Sequence, residues 1–236
     1  MTPDLPALFA ALEATWPPVA ARRVGPWVIR EGRGGGSRVS AATPAGDWHV
    51  GDIPAAEAAM RALGQTPLFR IVPGDPLDAA LAARGWRFAD ESCLYLAPIA
   101  RLAEPPPHLT ALAHWPPLAV TEDLWAAAGT GSARLAVMHR VAGPKTAILA
   151  RTDDRPAGAA FAAVAGPIAF VHAVTTVPAL RRRGSARHMM MRAALWARDE
   201  GADWLALAVT ADNAPARALY AAMGMTVAGR YAYRAP

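Results

Sequence analysis

Apolar residues recur along the chain with two periods, and the switches between them predict alternating helices and strands. In the first hundred residues the pattern predicts a helix over residues 6–15 and a strand over 27–31. A glycine-rich turn at Gly34, Gly35 and Gly36 follows, then a strand over 37–43, so that the glycines turn a hairpin. Next come a helix over 54–63 with proline at its start and Gly64 at its end, a strand over 68–72, a helix over 77–84 stopped by Gly85, and a strand over 92–96. Farther on, Thr121 is placed to cap a helix running through Trp125, and a second helix is expected over 132–141. Three strands (146–152, 157–165 and 168–177) are separated by Asp153-Asp154-Arg155-Pro156 and Gly166-Pro167, both rich in turn-forming residues. A helix over 185–200 places Ala186, Met190, Ala193, Ala194 and Ala197 on one face and ends at Gly201. A strand over 204–210, a helix over 214–223 stopped by Gly224 and a last strand near 230–234 complete the series. Helices interleaved with strands predict an α/β sheet architecture.

The densest break is Glu104-Pro105-Pro106-Pro107 with Pro116-Pro117 beyond it, because proline lacks a donor and forces its predecessor into extended geometry. This divides the chain into residues 1–105 and 106–236. Residues 68–86 align without gaps on 207–225, matching Pro76 with Pro215, Ala79 with Ala218, Ala82 with Ala221, Ala83 with Ala222 and Gly85 with Gly224. In an alanine-rich chain some matches of this kind arise by chance; the alternative is a duplicated fold. Under duplication the chemistry has diverged, since Leu81 stands opposite Tyr220 and Gly74 opposite Asn213.

Composition narrows the class. With 53% hydrophobic residues in 236, the chain carries ample core material, which excludes a disordered protein. Its 24 basic and 19 acidic side chains leave a net charge of +5 without any block of like charge, which suits a small anionic partner as well as a polymer. Cys93 is the one cysteine, so neither an intramolecular disulfide nor a paired-thiol metal site can form, and a reducing cytoplasm is the expected location. Asp4 and Glu13 among Pro3, Pro6, Pro17 and Pro18 argue against a signal peptide. No uncharged run reaches the roughly 18–20 residues that a bilayer requires, so no membrane association is expected.

The candidate chemistry lies in Val174-Thr175-Thr176-Val177-Pro178-Ala179-Leu180-Arg181-Arg182-Arg183-Gly184-Ser185-Ala186, a predicted strand leading through a basic, glycine-bearing turn into a helix. A turn of this kind aims successive backbone amides and a helix N-terminus at one point, which suits pyrophosphate. Small residues at Gly184 and Ala186 let phosphate oxygens approach the backbone. The segment resembles the signature of the GCN5-related N-acetyltransferase superfamily (Gln or Arg, two residues, Gly, one residue, Gly or Ala), with Arg181, Gly184 and Ala186 at the defining positions. Gly201, Asn213, Ala216, Tyr220 and Gly224 follow at the superfamily's spacing, and the resemblance covers residues 120–236. The N-terminal half is similar to the diverged companion domain of some two-domain bacterial members, through Trp27-Val28-Ile29-Arg30, Ser37-Arg38-Val39-Ser40 and the stretch from Leu77-Asp78 to Gly85-Trp86. It has no counterpart of Arg181-x-x-Gly184, so no cofactor site is expected there.

The resemblance implies a mixed, mostly antiparallel central sheet flanked by helices, the acyl-coenzyme A N-acyltransferase fold, in tandem with a degenerate copy. It implies acetyl-coenzyme A or another acyl-coenzyme A as co-substrate. Backbone groups of Val174, Thr175 and Thr176 would meet the pantetheine arm. The amides of Arg182, Arg183, Gly184, Ser185, Ala186 and Arg187 would meet the pyrophosphate, with Asn213 shaping the channel beside it. An amide at or near Val174 would stabilise the oxyanion. Tyr220 is the implied acid for the departing thiolate. Many members carry a base at the position of Phe170, which cannot accept a proton; His172, two residues on and so on the same strand face, is the alternative, similar to the strand histidine of arylalkylamine acetyltransferases. A water relay with a neutral acceptor is the other route. Met189, Met190 and Met191 read as core packing, and His49, His108, His114 and His139 have no ligand spacing, so no metal is expected.

Acyl transfer to a small-molecule or protein amine is therefore the leading expectation. A binding module that senses acyl-coenzyme A without turnover competes with it, motivated by Phe170. Nucleic-acid binding rests only on the basic balance and a pI near 10.1, and the scattered arginines form no recognition motif.

Overall fold

A computed structural model describes residues 1–236. Helix α1 (Leu5–Ala14) starts at Asp4, whose Oδ1 accepts from the Ala7 amide at 2.8 Å, and buries Leu8, Ala11 and Leu12. Strands β1 (Ala20–Val24) and β2 (Trp27–Glu31) form a hairpin through Gly25 and Pro26. Helix α2 (Ser37–Ser40) and the two-residue strand β3 (Thr43–Pro44) occupy the region expected as one strand over 37–43. The reason is tertiary. Gly36 takes a left-handed φ of 99°, and Gly35 lies so close to the next half that a Cβ there would sit 2.6 Å from Val137. The three glycines thus open a helical turn against a neighbouring helix and do not form a hairpin.

Helix α3 (Ile53–Ala62), strand β4 (Phe69–Ile71), helix α4 (Pro76–Ala83) and strand β5 (Arg87–Pro98) finish the first half. Strand β6 (Ala111–His114), between the two proline clusters, leads to α5 (Ala119–Ala127) and α6 (Ser132–Arg140). Leu118 is the N-cap of α5; Thr121 lies inside the helix and bonds the His114 ring at 3.1 Å, which corrects its expected capping role. Strands β7 (Lys145–Thr152), β8 (Arg155–Ala165) and β9 (Ile168–Thr176) form a meander, followed by α7 (Ser185–Asp199), β10 (Trp204–Thr210), α8 (Ala214–Ala222) and β11 (Thr226–Ala235).

A small sheet has the order β1-β2-β3, and an eight-stranded sheet has the order β4-β11-β5-β10-β9-β8-β7-β6. Within the large sheet β9 and β10 run parallel, and every other neighbouring pair is antiparallel. The architecture is therefore mixed α/β with a large, mostly antiparallel sheet flanked by helices.

The centre of that order shows a reciprocal exchange. The units β4-α4-β5 and β10-α8-β11 have the same plan, and each lends its last strand to the other: β11 lies between β4 and β5, and β5 lies between β10 and β11. The alignment of 68–86 on 207–225, extended at the same offset, sets Arg87 opposite Thr226, and these residues begin β5 and β11. The sheet thus runs across the proline-rich segment between residues 105 and 107.

Alanine dominates β8, where Ala157, Ala159, Ala160, Ala162 and Ala163 are buried. Small side chains on both faces let α7 approach from one side and α1 and α5 from the other. On the α7 side, Met189, Met190, Ala193, Ala194 and Ala197 pack with Val171, Leu207 and Tyr220, so the consecutive methionines Met189 and Met190 are core residues. On the opposite side, Leu8 and Leu12 cover Phe170, Leu94 and Tyr231. No helix is long and apolar enough to cross a membrane.

Candidate active site

Strands β9 and β10 are paired from Ile168 opposite Trp204 to Val171 opposite Leu207, and there the ladder stops. Beyond that point β9 stays with β8 through Thr175 and Thr176, while β10 stays with β5 as far as Thr210. Each strand is held on its outer edge, so a cleft opens between them. A bulge marks the parting. Phe161 faces His172 and Ala159 faces Thr175, leaving two residues of β9, Ala173 and Val174, opposite one residue of β8. Ala173 has a φ of 49°, and its carbonyl accepts from Trp125 Nε1 at 2.9 Å. Val174 has no ladder partner on either side.

The chain then passes through a single turn of 3-10 helix (Pro178–Leu180), anchored by buried Leu180, into the basic loop. Arg182 and Gly184 adopt left-handed φ values of 64° and 89°, and Gly184 is the N-cap of α7 without a side-chain cap. The first backbone bond of the helix runs from the His188 amide to Gly184 O. Consequently none of the six N–H groups of Arg182, Arg183, Gly184, Ser185, Ala186 and Arg187 has a partner in the protein. Six free donors at a helix N-terminus form a cradle with the chemistry suited to an anion with several oxygens.

The side chains around the cradle divide by orientation. Arg182 and Arg187 are exposed, without a carboxylate partner, whereas Arg183 pairs with Asp153 in the β7–β8 turn at 2.6 Å. The Ser185 hydroxyl is buried and bonds Thr152 Oγ1 at 2.9 Å, so this residue offers the cradle its amide only. His188 lies across the opening turn, where a Cβ on Gly184 would come within 3.1 Å of its ring. Burial, and then the charge of Arg187, lower its pKa.

Tyr220 projects from α8 into the same core as Met189 and Met190, and partly buried Val174 and Ala186 pack against that cluster. Its ring is 5.8 Å from that of Tyr95. Burial alone pushes its phenol up to about 12, with no hydrogen bond contributing. Asn213 is the N-cap of α8, where its Oδ1 accepts from the Ala216 amide at 3.2 Å. It therefore fixes the helix that carries Tyr220 and has its carbonyl committed to that cap.

His172 lies on the other face of β9, fully enclosed, with Phe170 stacked beside it at 5.6 Å and Trp16 at 5.0 Å. Arg38 Nη1 lies 3.0 Å from Nδ1, and because a guanidinium can only donate, Nδ1 must accept. Thr15 Oγ1 donates to Ala11 O at 2.7 Å and lies 3.0 Å from Nε2, so Nε2 carries the proton. Both ring nitrogens are thus occupied, and burial followed by the Arg38 charge holds the pKa well below 6.5. The base role expected of His172 does not fit this geometry, since its one lone pair is engaged. The strand position was legible; its partners Thr15, Trp16 and Arg38, more than 130 residues away in sequence, were not, and neither was the Trp125 bond that secures the bulge. No cluster of three His, Cys, Asp or Glu side chains with metal-holding geometry occurs.

Parted strands, a bulge and an uncapped helix start thus come together at one end of the sheet, and comparison with known proteins identifies the class of the fold. The family model described as Acetyltransferase (GNAT) family matches residues 105–225, and the chain belongs to that family. Membership brings acyl transfer from coenzyme A to amines as the general chemistry. No curated protein sequence matches the chain. Among solved structures, a GCN5-related N-acetyltransferase from Kribbella flavida is similar with a TM-score of 0.71 at 20% identity, over 97% of this chain and 93% of its own. A functionally unknown conserved protein from Staphylococcus epidermidis is similar with a TM-score of 0.67 at 11% identity, over 90% and 91%. A tandem GNAT protein from the clavulanic acid biosynthesis pathway is similar with a TM-score of 0.58 at 18% identity, over 77% and 67%. At these identities the likeness is one of fold.

Proposed function

We propose that this protein is an N-acyltransferase that moves an acetyl or similar acyl group from coenzyme A to an amine by direct attack in a ternary complex. The observation that carries the reading is the run of six unpartnered amides at residues 182–187, directly downstream of a strand whose inner edge has lost its neighbour. These amides, with Arg182 and Arg187, would hold the pyrophosphate. The free edge of Val174, Thr175 and Thr176 would hold the pantetheine arm, and bound there acyl-coenzyme A supplies the activated acyl group. Val174, the bulge residue without a register partner, is the position whose N–H would meet the acyl oxygen. Tyr220, protonated at neutral pH, is the acid for the departing thiolate. With the His172 lone pair engaged by Arg38, the amine loses its proton to water or arrives neutral.

We further assign residues 106–236 as the catalytic unit and 1–105 as its diverged companion. A cytoplasmic location is the reading that a single buried thiol, Cys93, supports. Titration calorimetry with acetyl-coenzyme A, together with thioester consumption across a panel of amines, tests the reading. Heat with turnover supports it. Heat without turnover for any amine would turn the assignment to a sensor of acyl-coenzyme A, and absence of heat would remove the site.

A further inference from the structure

On the face of the sheet opposite α7, the guanidinium groups of Arg30, Arg38 and Arg70 stand near a single carboxylate, that of Glu13, which only Arg30 bonds. Glu13 receives two bonds from Arg30, at 2.9 and 2.7 Å, and Arg30 also bonds Ala41 O and Thr43 Oγ1. That pair is closed. Arg70, on edge strand β4, stands directly opposite Tyr233 of β11 and lies 4.3 Å above the Phe9 ring, but forms no ion pair and no side-chain hydrogen bond. Arg38 donates to neutral His172, lies 5.7 Å above the Trp16 ring and likewise has no carboxylate. Both charges act on one phenol, that of Tyr233. Arg70 is already penalised by burial and by the neighbouring Arg30. Arg38 and Arg70 are thus two half-buried cations without a salt bridge whose remaining donors are free for a partner, and Arg70 feels only the carboxylate that Arg30 already holds.

Its position gives this deficit a purpose. Arg38 touches His172, the residue immediately before the Ala173 bulge, where the cleft opens. The helix start lies on the α7 face of the sheet, whereas Arg38 reaches His172 on the face that α1 covers, so Arg38 addresses the same parting of strands from the opposite side. We propose that Arg38 and Arg70, with Tyr233 between them, seat the carboxylate of the acceptor, so that the amine acylated belongs to a molecule carrying a carboxylate, such as an amino acid. This inference rests on the acyltransferase reading and deepens it. Arg is suited to the task because its planar fork matches a carboxylate with two parallel bonds, and the Trp16 and Phe9 rings lie under the guanidinium groups of Arg38 and Arg70 and hold them in place.

Calorimetry and thioester consumption with the twenty L-amino acids and their matching carboxamides, at saturating coenzyme A or acetyl-coenzyme A, test the seat. The carboxamides keep the amine and remove the negative charge. At least one acid is expected to bind the wild type about tenfold or more tightly than its amide, the scale of a lost charge-assisted bond. In Arg70→Gln that preference should shrink to about twofold, and Arg70→Lys should retain part of it. Acetyl-coenzyme A affinity, measured for each variant, reports whether it is folded, and Arg38→Gln serves where Arg70→Gln is not. Equal binding of acids and amides, no binding of either, or a preference that survives in a folded Arg70→Gln protein would each overturn the proposal. A preference for acids without thioester consumption would leave the seat standing and sink the enzyme reading.

Discussion

At the residue scale, two side chains near the cradle are tuned by their surroundings in opposite ways. A phenol pushed up to about 12 is protonated throughout the range in which a thiolate of ordinary pKa, about 8.5, has to capture a proton. Tyr220→Phe keeps the ring against Tyr95 and removes the proton. Its kcat should fall by about 10²–10⁴-fold, the usual contribution of a positioned acid, while calorimetric affinity for acetyl-coenzyme A stays unchanged; a fall in affinity alone would demote Tyr220 to a packing role. Arg183 is restrained by Asp153, which is more than half exposed, and such surface pairs contribute little to stability. Asp153→Asn frees the guanidinium for the cradle and withdraws a negative charge from its rim. A two- to fivefold gain in coenzyme A affinity, on the order of 0.5–1 kcal/mol, should result, and calorimetry at low salt would read it most clearly because exposed charges are screened.

At the scale of elements, the cleft depends on a kink in β9 that one distant donor secures. Trp125 is fully buried in α5, and its indole N–H supplies the partner for the Ala173 carbonyl at the bulge. Trp125→Phe preserves most of the packing but leaves that carbonyl unpaired, at a cost of about 1–3 kcal/mol. Thermal unfolding should show the loss, and kcat should fall further than coenzyme A affinity, because the bulge aims the Val174 amide and leaves the cradle at residues 182–187 untouched. The contrast between bulge and cradle also explains what the sequence made legible. Gly184 and Ala186 in a basic turn before an amphipathic helix carry their geometry locally, so the uncapped helix start and its free amides could be read from spacing. Ala173 takes a positive φ with no glycine or asparagine to mark it, since register with β8 and the Trp125 bond impose it from outside. The same holds for Ser37-Arg38-Val39-Ser40, which alternates like a strand yet winds into α2 because the preceding glycines bring the backbone against α6. Strand β6, four residues between proline clusters, had too short a pattern to show its period. His172 was correctly placed on its strand, but its chemistry is set by Thr15 and Arg38, which no local pattern connects to it.

For the whole molecule, two features tie the halves into one cooperative unit: the exchanged strands β5 and β11, and the enclosure of a C-terminal-half histidine by N-terminal-half side chains. The second makes stability depend on pH. Folded His172 has its pKa held well below 6.5, whereas in the unfolded chain it titrates at the ordinary value of about 6.5. Between those two values the unfolded state binds more protons, so stability rises with pH in that window. The contribution is complete above about pH 6.5 and is lost as pH falls toward the folded value. His114 and His188 are lowered in the same direction and add to the slope, while Glu13, held below 4.5, contributes its loss only at more acid pH. From pH 6.5 to 5 the histidines therefore dominate. One fully linked proton corresponds to about 1.4 kcal/mol per pH unit, or about 3–5 °C in melting temperature for a chain of this size. His172→Gln can accept from Arg38 and donate to Thr15 without titrating, so its melting temperature should fall less steeply over that interval than that of the wild type. Calorimetric scans at half-unit steps of pH would separate the two slopes; parallel curves would mean that His172 accepts its proton without opening the contact between the halves.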